Sequence, residues 1–379
     1  MKENRKKFEL YVFLSTFSRN LIEVFIPVIL YEFGFELKEV IFYFFISNVF
    51  SLLLSYPCVM IARKFSNKLL TIIGIAGFVG TQMMLMNIQF GTWYLVLIGF
   101  LYALYRRGYW ISRRYYNLKV MEKEKIASTF SVISIVNHLG VIVASYIGAL
   151  MLDFVDVKTV TIISISIFVA SLIPLALMKF KYEVSNEKLD VKSIVKEIPK
   201  RNLYLFGSYE LLNVVKFLFA LYLFIYVKDT YTTVGIYTLI TNLSVLAFSY
   251  LYGKKIDNAK NFLKLSIVLT VVTYVCKANA TGIILVIISF FEGIFTKMHE
   301  ISISKEFYVL SKKFEYSSYN LLYEYIQNSV RSIALFILYI FNVDLKIMIY
   351  IVLSFMLAGA FMNFKYIEKE DHKGKIKEN

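Results

Sequence analysis

The sequence predicts an all-α integral membrane protein with about twelve transmembrane helices, arranged as two pseudo-symmetric halves of six helices each. Three observations predict this fold. Apolar windows of about 20 residues recur along the whole chain, basic residues cluster in every second connection between them, and short segments repeat at one spacing. The 379 residues are 58% hydrophobic with a mean hydropathy of +0.62, which is too apolar for a soluble domain of this length.

The apolar windows come first, because each is long enough to cross a hydrocarbon core about 30 Å thick. Strands of alternating hydrophobicity, which outer-membrane barrels need, are absent from the sequence, so the spans are predicted to be helices. The predicted spans are 9–32, 40–62, 69–87, 92–112, 127–152, 158–179, 203–227, 232–252, 261–280, 282–301, 318–341 and 345–365.

The basic residues test this number of spans. The net charge is +15, and Lys and Arg cluster in alternate connections, whereas each of the other connections carries at most one. Because basic loops stay in the cytoplasm, the alternation predicts an even number of spans, a cell (inner or plasma) membrane location and two cytoplasmic termini. It also accounts for the charge without nucleic acid as a partner.

The longest polar stretch divides the spans six and six. We therefore expect a first bundle at 1–180, a cytoplasmic linker at 181–202 and a second bundle with a cytoplasmic tail at 203–379. Apolar residues at helical spacing among the linker lysines fit a helix lying on the anionic membrane surface. A flexible, solvated linker is the equal alternative.

An internal repeat supports the two halves, since transporters are often built from structural repeats. Three pairs of segments match at an offset of about 191–194 residues and in the same span order. The matched pairs are Ile46–Tyr56 with Ile240–Tyr250, Ser112–Leu118 with Ser304–Leu310, and Asn137 with Asn328.

With this repeat and span count, the chain resembles the major facilitator superfamily over essentially its whole length. The family's loop motif, Gly-x-x-x-Asp followed by basic residues, is similar to the segment from Gly253 to Asp257, whereas the first-half equivalent, Val59–Arg63, lacks both Gly and Asp. The resemblance implies a monomeric secondary transporter of a small molecule, in which Gly253 and Asp257 contribute to gating. It also implies that helices 1, 4, 7 and 10 line the central path, that helices 2, 5, 8 and 11 flank it, and that helices 3, 6, 9 and 12 face outward.

Ionisable residues inside the spans follow that plan, although each costs several kcal/mol in a bilayer core unless it faces a partner, water or the bundle interior. Spans four and eleven carry polar stripes at helical spacing, while spans three, six, nine and twelve carry few or no central charges. The candidate substrate or coupling residues are Arg19, Glu23, Tyr102, Arg106, Tyr109, Asn137, His138, Glu210, Glu292, Glu324, Asn328 and Arg331.

Several of these residues also have a purely structural interpretation. Arg19 and Glu23, four residues apart, form either a salt bridge within their own helix or a coupling pair. His138 is more typical of a hydrogen-bonded bundle residue than of a proton relay.

Charges near the predicted span ends have a similar alternative. Arg113 and Arg114 are typical of snorkelling anchors at the cytoplasmic surface. His299 and Glu300 fall at the predicted end of span ten, in the membrane interface, where charge costs less.

Two mechanisms are consistent with this set. If Glu23, Glu292 or Glu324 exchanges an arginine partner for a proton, transport is coupled to the proton gradient, and Gln at Glu292 or Glu324 should abolish the coupling. Alternatively, the Arg-rich and Tyr-rich first half binds an anionic substrate directly, with Tyr102 and Tyr109 stacking on a planar group. Efflux and uptake are both compatible with either mechanism.

Other functions are less consistent with the sequence. A flippase for a lipid or a lipid-linked oligosaccharide is the alternative, because it also uses a basic cavity. An enzyme is disfavoured, since the sequence has three histidines and no HExxH, nucleophile-elbow or phosphate-binding loop motif. No cofactor, metal site or disulfide is expected, because the two cysteines, Cys58 and Cys276, are isolated.

Overall fold

The computed structural model describes residues 2–120, 126–179, 189–252 and 260–378. In these ranges the chain forms helices and connections, and no strand. The helices are α1 (Lys2–Asn20), α2 (Ile26–Glu32), α3 (Leu37–Lys64), α4 (Asn67–Met86), α5 (Thr92–Val120), α6 (Ile126–Phe154), α7 (Val157–Ala170), α8 (Leu172–Ala176), α9 (Val191–Glu197), α10 (Lys200–Tyr222), α11 (Tyr231–Tyr252), α12 (Lys260–Lys277), α13 (Gly282–Lys313), α14 (Tyr316–Phe341) and α15 (Leu345–Glu378).

These helices account for the twelve predicted spans in the described part of the chain. The first span consists of α1 and α2, the sixth of α7 and α8, α9 lies in the linker, and each other helix is one span. Among the described residues, nine spans are long and apolar enough to cross a membrane by length and composition. Of the other three, α5 and α14 are less apolar because they carry the polar stripes, and α12 contains the shorter apolar helix Leu265–Lys277.

Some helices run well beyond the predicted ends. α5 extends to Val120 and α13 to Lys313, because hydropathy marks the part of a helix that is apolar and not the residue at which the helix ends. As a result, His299 and Glu300 lie within α13 and not at its end. His299 is fully buried and Glu300 faces the central cavity, and their placement in the membrane interface stays a prediction.

The bundle has two opposite faces. The terminal face is where α1 begins, and there the Asn4 side chain donates a hydrogen bond of 2.8 Å to the carbonyl of Lys179 after the sixth span. The distal face carries the connections that follow α2, α4, α6, α10, α12 and α14. We call residues up to 179 the first half and residues from 200 onward the second half.

The two halves meet along two helix pairs. α3 packs against α14, and α6 packs against α11. Near the terminal face, a small apolar cluster joins Cys58 and Val59 of α3 to Leu321 of α14. The linker helix α9 packs on α14 and buries Ile194, so this part of the linker is docked on the protein and is not a solvated tether.

The distal ends of the halves are in contact. The rings of Phe44 and Phe217 are 4.2 Å apart, and the Tyr231 hydroxyl donates a hydrogen bond to Glu32. Asp153 at the end of α6 accepts hydrogen bonds of 2.9 and 2.7 Å from the backbone N–H groups of Tyr231 and Thr232. The distal face of the central cavity is therefore closed by contacts between the halves.

Two local features place the charged helices around the cavity. α2 begins at Ile26 after a 3-10 turn at Glu23–Phe25, and its second residue is Pro27, which lacks the N–H that would continue the first helix. Gly74 of α4 and Gly108 of α5 allow close helix contact: a methyl group on Gly108 would lie 2.5 Å from Cα of Gly74. This contact holds the arginine-rich segment of α5 in place.

Candidate functional site in the central cavity

A cavity of about 600 Å³ lies between the two halves. Its described lining comes from α1, α2, α3, α5 and α6 on one side and from α10, α13 and α14 on the other. At its distal end the lining is apolar, and its middle is rich in arginine. The apolar lining residues at the distal end are Val24, Pro27, Phe44, Val214, Phe217, Ala220 and Leu335, and others, Ile133, Ile303 and Phe307, lie elsewhere in the wall.

The arginine stripe of α5 supplies the most prominent polar groups. Arg106 donates a hydrogen bond of 3.1 Å to the Asn48 side chain. Arg113 donates to the Tyr109 hydroxyl at 2.6 Å and to the Asn137 side-chain oxygen at 2.7 Å. These neutral acceptors fix the direction of both guanidinium groups without neutralising them.

The snorkelling interpretation of Arg113 and Arg114 is wrong. Arg113 is 5% exposed and lines the cavity, and Arg114 pairs with Glu324 inside the bundle. The two side chains point inward because α5 crosses the middle of the protein, and their sequence position near the end of an apolar window does not show this.

The break in the first span brings Arg19 and Glu23 to the cavity wall. Arg19 Nη1 lies 3.3 Å from Glu23 Oε2, and the Tyr102 hydroxyl donates a hydrogen bond of 2.9 Å to Glu23 Oε1. The pair is thus a salt bridge within the first span and also part of the cavity lining.

Trp110 lies between two of these arginines. The guanidinium carbon of Arg19 is 4.8 Å from the ring centroid, and that of Arg113 is 5.2 Å away. Both arginines also lie over Tyr109, at 5.3 and 5.6 Å. Cation–π contacts of this kind stabilise a positive charge without removing it.

The second half contributes a buried carboxylate of its own. Glu210 on α10 is fully buried, forms an ion pair with Arg331 of α14, and accepts hydrogen bonds from Gln327 at 2.6 Å and Asn213 at 3.1 Å. All these groups belong to the second half, so this cluster can move as one unit.

Glu324 is held differently. This fully buried carboxylate of α14 forms ion pairs with Arg107 and Arg114 of α5, in the opposite half. Asn328, one turn further along α14, donates hydrogen bonds to the Glu324 backbone carbonyl at 2.7 Å and to its carboxylate at 3.3 Å. Glu324 therefore links the two halves through charge.

A second polar contact joins α6 to α13. Lys297 Nζ lies 3.3 Å from Nε2 of His138 and donates to Ser134 at 3.2 Å, and it forms an ion pair of 3.2 Å with Glu300. Lys216 of α10 lines the same cavity with an exposed side chain. His138 is thus part of a hydrogen-bonded contact between the halves.

Glu292 does not line the cavity. Its carboxylate forms an ion pair with Lys277 of α12, accepts a hydrogen bond of 2.5 Å from the Tyr274 hydroxyl and lies 3.3 Å from the Thr241 hydroxyl. The cluster is enclosed by α11, α12 and α13 within the second half. Gly253 and Asp257 of the loop motif lie outside the described residues.

The described residues contain no group of three or more His, Cys, Asp or Glu side chains that could hold a metal ion. What the site offers chemically is therefore charge, hydrogen bonding and aromatic surface around a space large enough for a small molecule.

Comparison with known families decides what kind of protein carries this cavity. The profile of the Major Facilitator Superfamily matches residues 10–305, more than half of the chain. The chain belongs to the major facilitator superfamily. No curated protein sequence matches it significantly.

Solved facilitator structures share its fold. A mutant of the nucleoside transporter NupG superposes with a TM-score of 0.71 at 13% identity, covering 96% of this chain and 99% of that one. A bacterial homologue of the human drug peptide transporters gives 0.72 at 11% identity, covering 99% of both chains. A bacterial homologue of the iron transporter ferroportin, in an outward-facing state, gives 0.69 at 12% identity, covering 96% and 99%. At these identities the likeness shows the fold alone.

Membership in this family agrees with the spans that line the cavity of this facilitator. The described cavity lining comes from spans one, four, seven and ten and from spans two, five and eleven, and none of it from spans three, six, nine or twelve. It brings together seven of the twelve predicted site residues, with Tyr109, Glu210, Glu324 and Asn328 behind the wall and Glu292 in a separate cluster.

Sequence reasoning leaves some of this facilitator's site residues out of the candidate set. Arg107, Lys216 and Lys297 lie in charged spans, but their spacing alone does not distinguish them from the neighbours that the sequence favours. Asn48, the acceptor for Arg106, occupies the repeat position equivalent to Asn242, so the repeat itself contains a signal for it. The sequence contains no such signal for which charged residues pair between the two halves.

Proposed function

We propose that this facilitator moves a small organic solute through the central cavity by alternating access, driven by the proton gradient, with its terminal face in the cytoplasm. The observation that carries the coupling is the position of Glu324, a fully buried carboxylate of the second half held by Arg107 and Arg114 of the first.

The position of Glu324 between the halves matters when the halves move. When α14 moves away from α5, Glu324 loses its arginine partners while it remains inside the bundle. An unpaired carboxylate in such surroundings costs several kcal/mol, whereas a protonated one is neutral and can keep its hydrogen bond to Asn328. Proton binding therefore accompanies separation of the halves, and proton release accompanies their return.

The other cavity pairs do not have this property. Glu23 and Arg19 share one span, and Glu210 and Arg331 share one half. Each pair can stay intact while the halves rotate as rigid bodies. The direction of transport then follows from the solute and proton gradients, so one cycle serves efflux or uptake.

The test is a pH measurement in weakly buffered suspensions of proteoliposomes while candidate solutes are added. We expect solute-dependent alkalinisation outside for the wild type and its loss for Glu324→Gln, with the protein still folded. Glu292→Gln is the matched control, because Glu292 is equally buried but its partner lies in its own half; it should keep the coupling.

Two results would contradict the proposal. Gradient-driven uptake that is unchanged in Glu324→Gln would remove Glu324 from the coupling step. Movement of a labelled lipid between leaflets, without any solute-dependent proton movement, would assign the basic cavity to a flippase instead.

A further inference from the structure

We infer that the cavity binds an organic anion with an apolar body, whose charged group is held by Arg106, Arg113 and Lys216. The inference names the substrate class for the proposed transport function, and it rests on that proposed function. It does not depend on proton coupling, because binding is an equilibrium property of the cavity.

The charge balance of the cavity supports an anion. Seven cationic residues line it, and four of them have a carboxylate within 4 Å: Arg19 has Glu23, Arg331 has Glu210, and Arg107 and Arg114 share Glu324. The other lining carboxylate, Glu300, is paired with Lys297. In the described part of the chain, this leaves Arg106, Arg113 and Lys216 without a carboxylate at salt-bridge distance.

The two arginines are held in fixed positions in the site. Arg106 is 9% exposed and Arg113 is 5% exposed, and hydrogen bonds to Asn48, Tyr109 and Asn137 fix their direction. Those acceptors are neutral, so they do not compensate the positive charge. A cation without a counter-charge is costly in a membrane interior, and a bound anion offsets that cost.

The shape of the cavity suggests the rest of the solute. The distal end beyond the arginines is lined by Phe44, Phe217, Leu335 and other apolar residues, which favour an apolar group. Arg106 and Arg113 are seven residues apart on α5, roughly 10 Å along the helix axis. Both side chains are long enough to reach a charged group bound between them, and the flexible Lys216 of α10 lines the same cavity from the other half.

Trp110 provides a reporter for binding. The sequence has two tryptophans: Trp110 lines the cavity, and Trp93 is 56% exposed at the distal start of α5. Trp93→Phe thus leaves one indole beside Arg19 and Arg113. A bromine atom quenches indole fluorescence on contact, so a brominated solute that enters the cavity dims this signal.

The experiment compares three solutes with the same brominated phenylalkyl chain, ending in a carboxylate, an alcohol or an amine. The Trp93→Phe protein is held in phosphatidylcholine nanodiscs without a pH gradient. We expect saturable quenching by the carboxylate, and at least tenfold weaker affinity for the alcohol and the amine. Tenfold in affinity corresponds to about 1.4 kcal/mol, which is within the contribution of one hydrogen bond to a charged group.

Variants locate the site. Arg106→Gln, Arg113→Gln and Lys216→Gln should each weaken carboxylate binding about tenfold or more, and Lys158→Gln, an exposed lysine at the start of α7, should not. Lys216→Gln decides the result if an arginine variant fails to fold, since Lys216 is the exposed member. Equal affinity for the alcohol, or preference for the amine, would overturn the inference.

A parallel experiment with brominated lipids tests whether the bound anion is a soluble molecule or a lipid headgroup. Phosphatidylglycerol with brominated acyl chains should not quench Trp110 more than brominated phosphatidylcholine does. Quenching by the anionic lipid alone, with none from the soluble carboxylate, would overturn the small-solute assignment in favour of a lipid headgroup. Binding is measured here without a pH gradient and proton coupling is measured separately in proteoliposomes, so failure of either proposal leaves the other result readable.

Discussion

Glu292 and Glu324 are two buried carboxylates of the same half, and they differ in where their cationic partners lie. Glu292 of α13 pairs with Lys277 on the preceding helix, α12, of its own half, whereas Glu324 pairs with Arg107 and Arg114 of the opposite half. Both are glutamates inside apolar spans, and burial alone does not separate them, since Glu292 is 4% exposed and Glu324 is 0% exposed.

This difference separates two kinds of intramembrane ion pair in a protein whose halves move, those within one half and those between the halves. A pair within one half stays together throughout the cycle, so it contributes to the stability of that half. A pair between halves must break whenever they separate, so its free energy sets the balance between conformations. Two predictions test this distinction and a third concerns a carboxylate outside the spans, in order from the largest expected effect to the smallest.

Glu292→Ala should destabilise the protein most, by about 3–5 kcal/mol, because it leaves Lys277 as an unpaired buried charge. Thermal unfolding of the detergent-solubilised protein, followed by circular dichroism, measures the loss. The double variant Glu292→Ala with Lys277→Met should recover much of it, since the uncompensated cation is gone. An unfolding midpoint unchanged in the single variant would mean that the pair has no structural role.

Glu324→Gln should instead change the conformational balance. Cys58 lies in the apolar cluster with Leu321 between α3 and α14 and is 2% exposed. In a Cys276→Ser background it is the only thiol, since the sequence has two cysteines. Loss of the charge pairing should open this interface more often and raise the rate of Cys58 alkylation about tenfold, as expected for a loss of about 1.4 kcal/mol.

The matched comparison is Glu292→Gln in the same background. Its ion pair lies within one half, so Cys58 should react at the wild-type rate. Equal acceleration in both variants would show that general loosening, and not separation of the halves, exposes the thiol.

We expect the smallest effect on stability from Asp190, because this residue lies outside the spans at the start of α9. The backbone N–H of Ser193 donates to its carboxylate at 3.0 Å, and this hydrogen bond holds the pKa of Asp190 below its ordinary value. The folded-state pKa is depressed, so the stabilisation is present above the unfolded pKa of about 3.9 and is lost as the pH falls through the folded value.

Hydrogen exchange in α9, corrected for the intrinsic rate, measures this effect. Asp190→Ala should lower the protection of α9 slightly at neutral pH and leave the spans unaffected. Asp190→Asn keeps an oxygen acceptor, so it should retain protection and lose its acid dependence. A protection profile independent of both changes would contradict the capping role.

Much of the fold could be predicted from the sequence, because a bilayer imposes strong constraints on length and hydropathy. The twelve spans, the repeat and the polar stripes of α5 and α14 are all visible as patterns. Helix ends are less accurate, as α13 shows, because helical structure continues past the apolar window to Lys313. The snorkelling interpretation of Arg113 failed for a related reason, since distance from a window's end does not show which way a side chain points.

The partners of the charges could not be predicted. Nothing in the sequence distinguishes Lys277 as the partner of Glu292 from Arg107 as a partner of Glu324, since both pairs join residues on different helices. Equally, the spacing of Arg106 and Arg113 shows that they share a face of α5, but not that their acceptors are the neutral side chains of Asn48, Asn137 and Tyr109.

The sequence by itself determined that this chain is a helical membrane protein of the facilitator type and which helices carry charge, because the cost of burying polar groups in hydrocarbon acts on each span separately. Only the tertiary structure decided which charges are neutralised within one half, which join the halves and which face the cavity uncompensated. Those outcomes depend on electrostatic interactions that act over a few ångströms between helices distant in the chain, and packing alone brings those helices together.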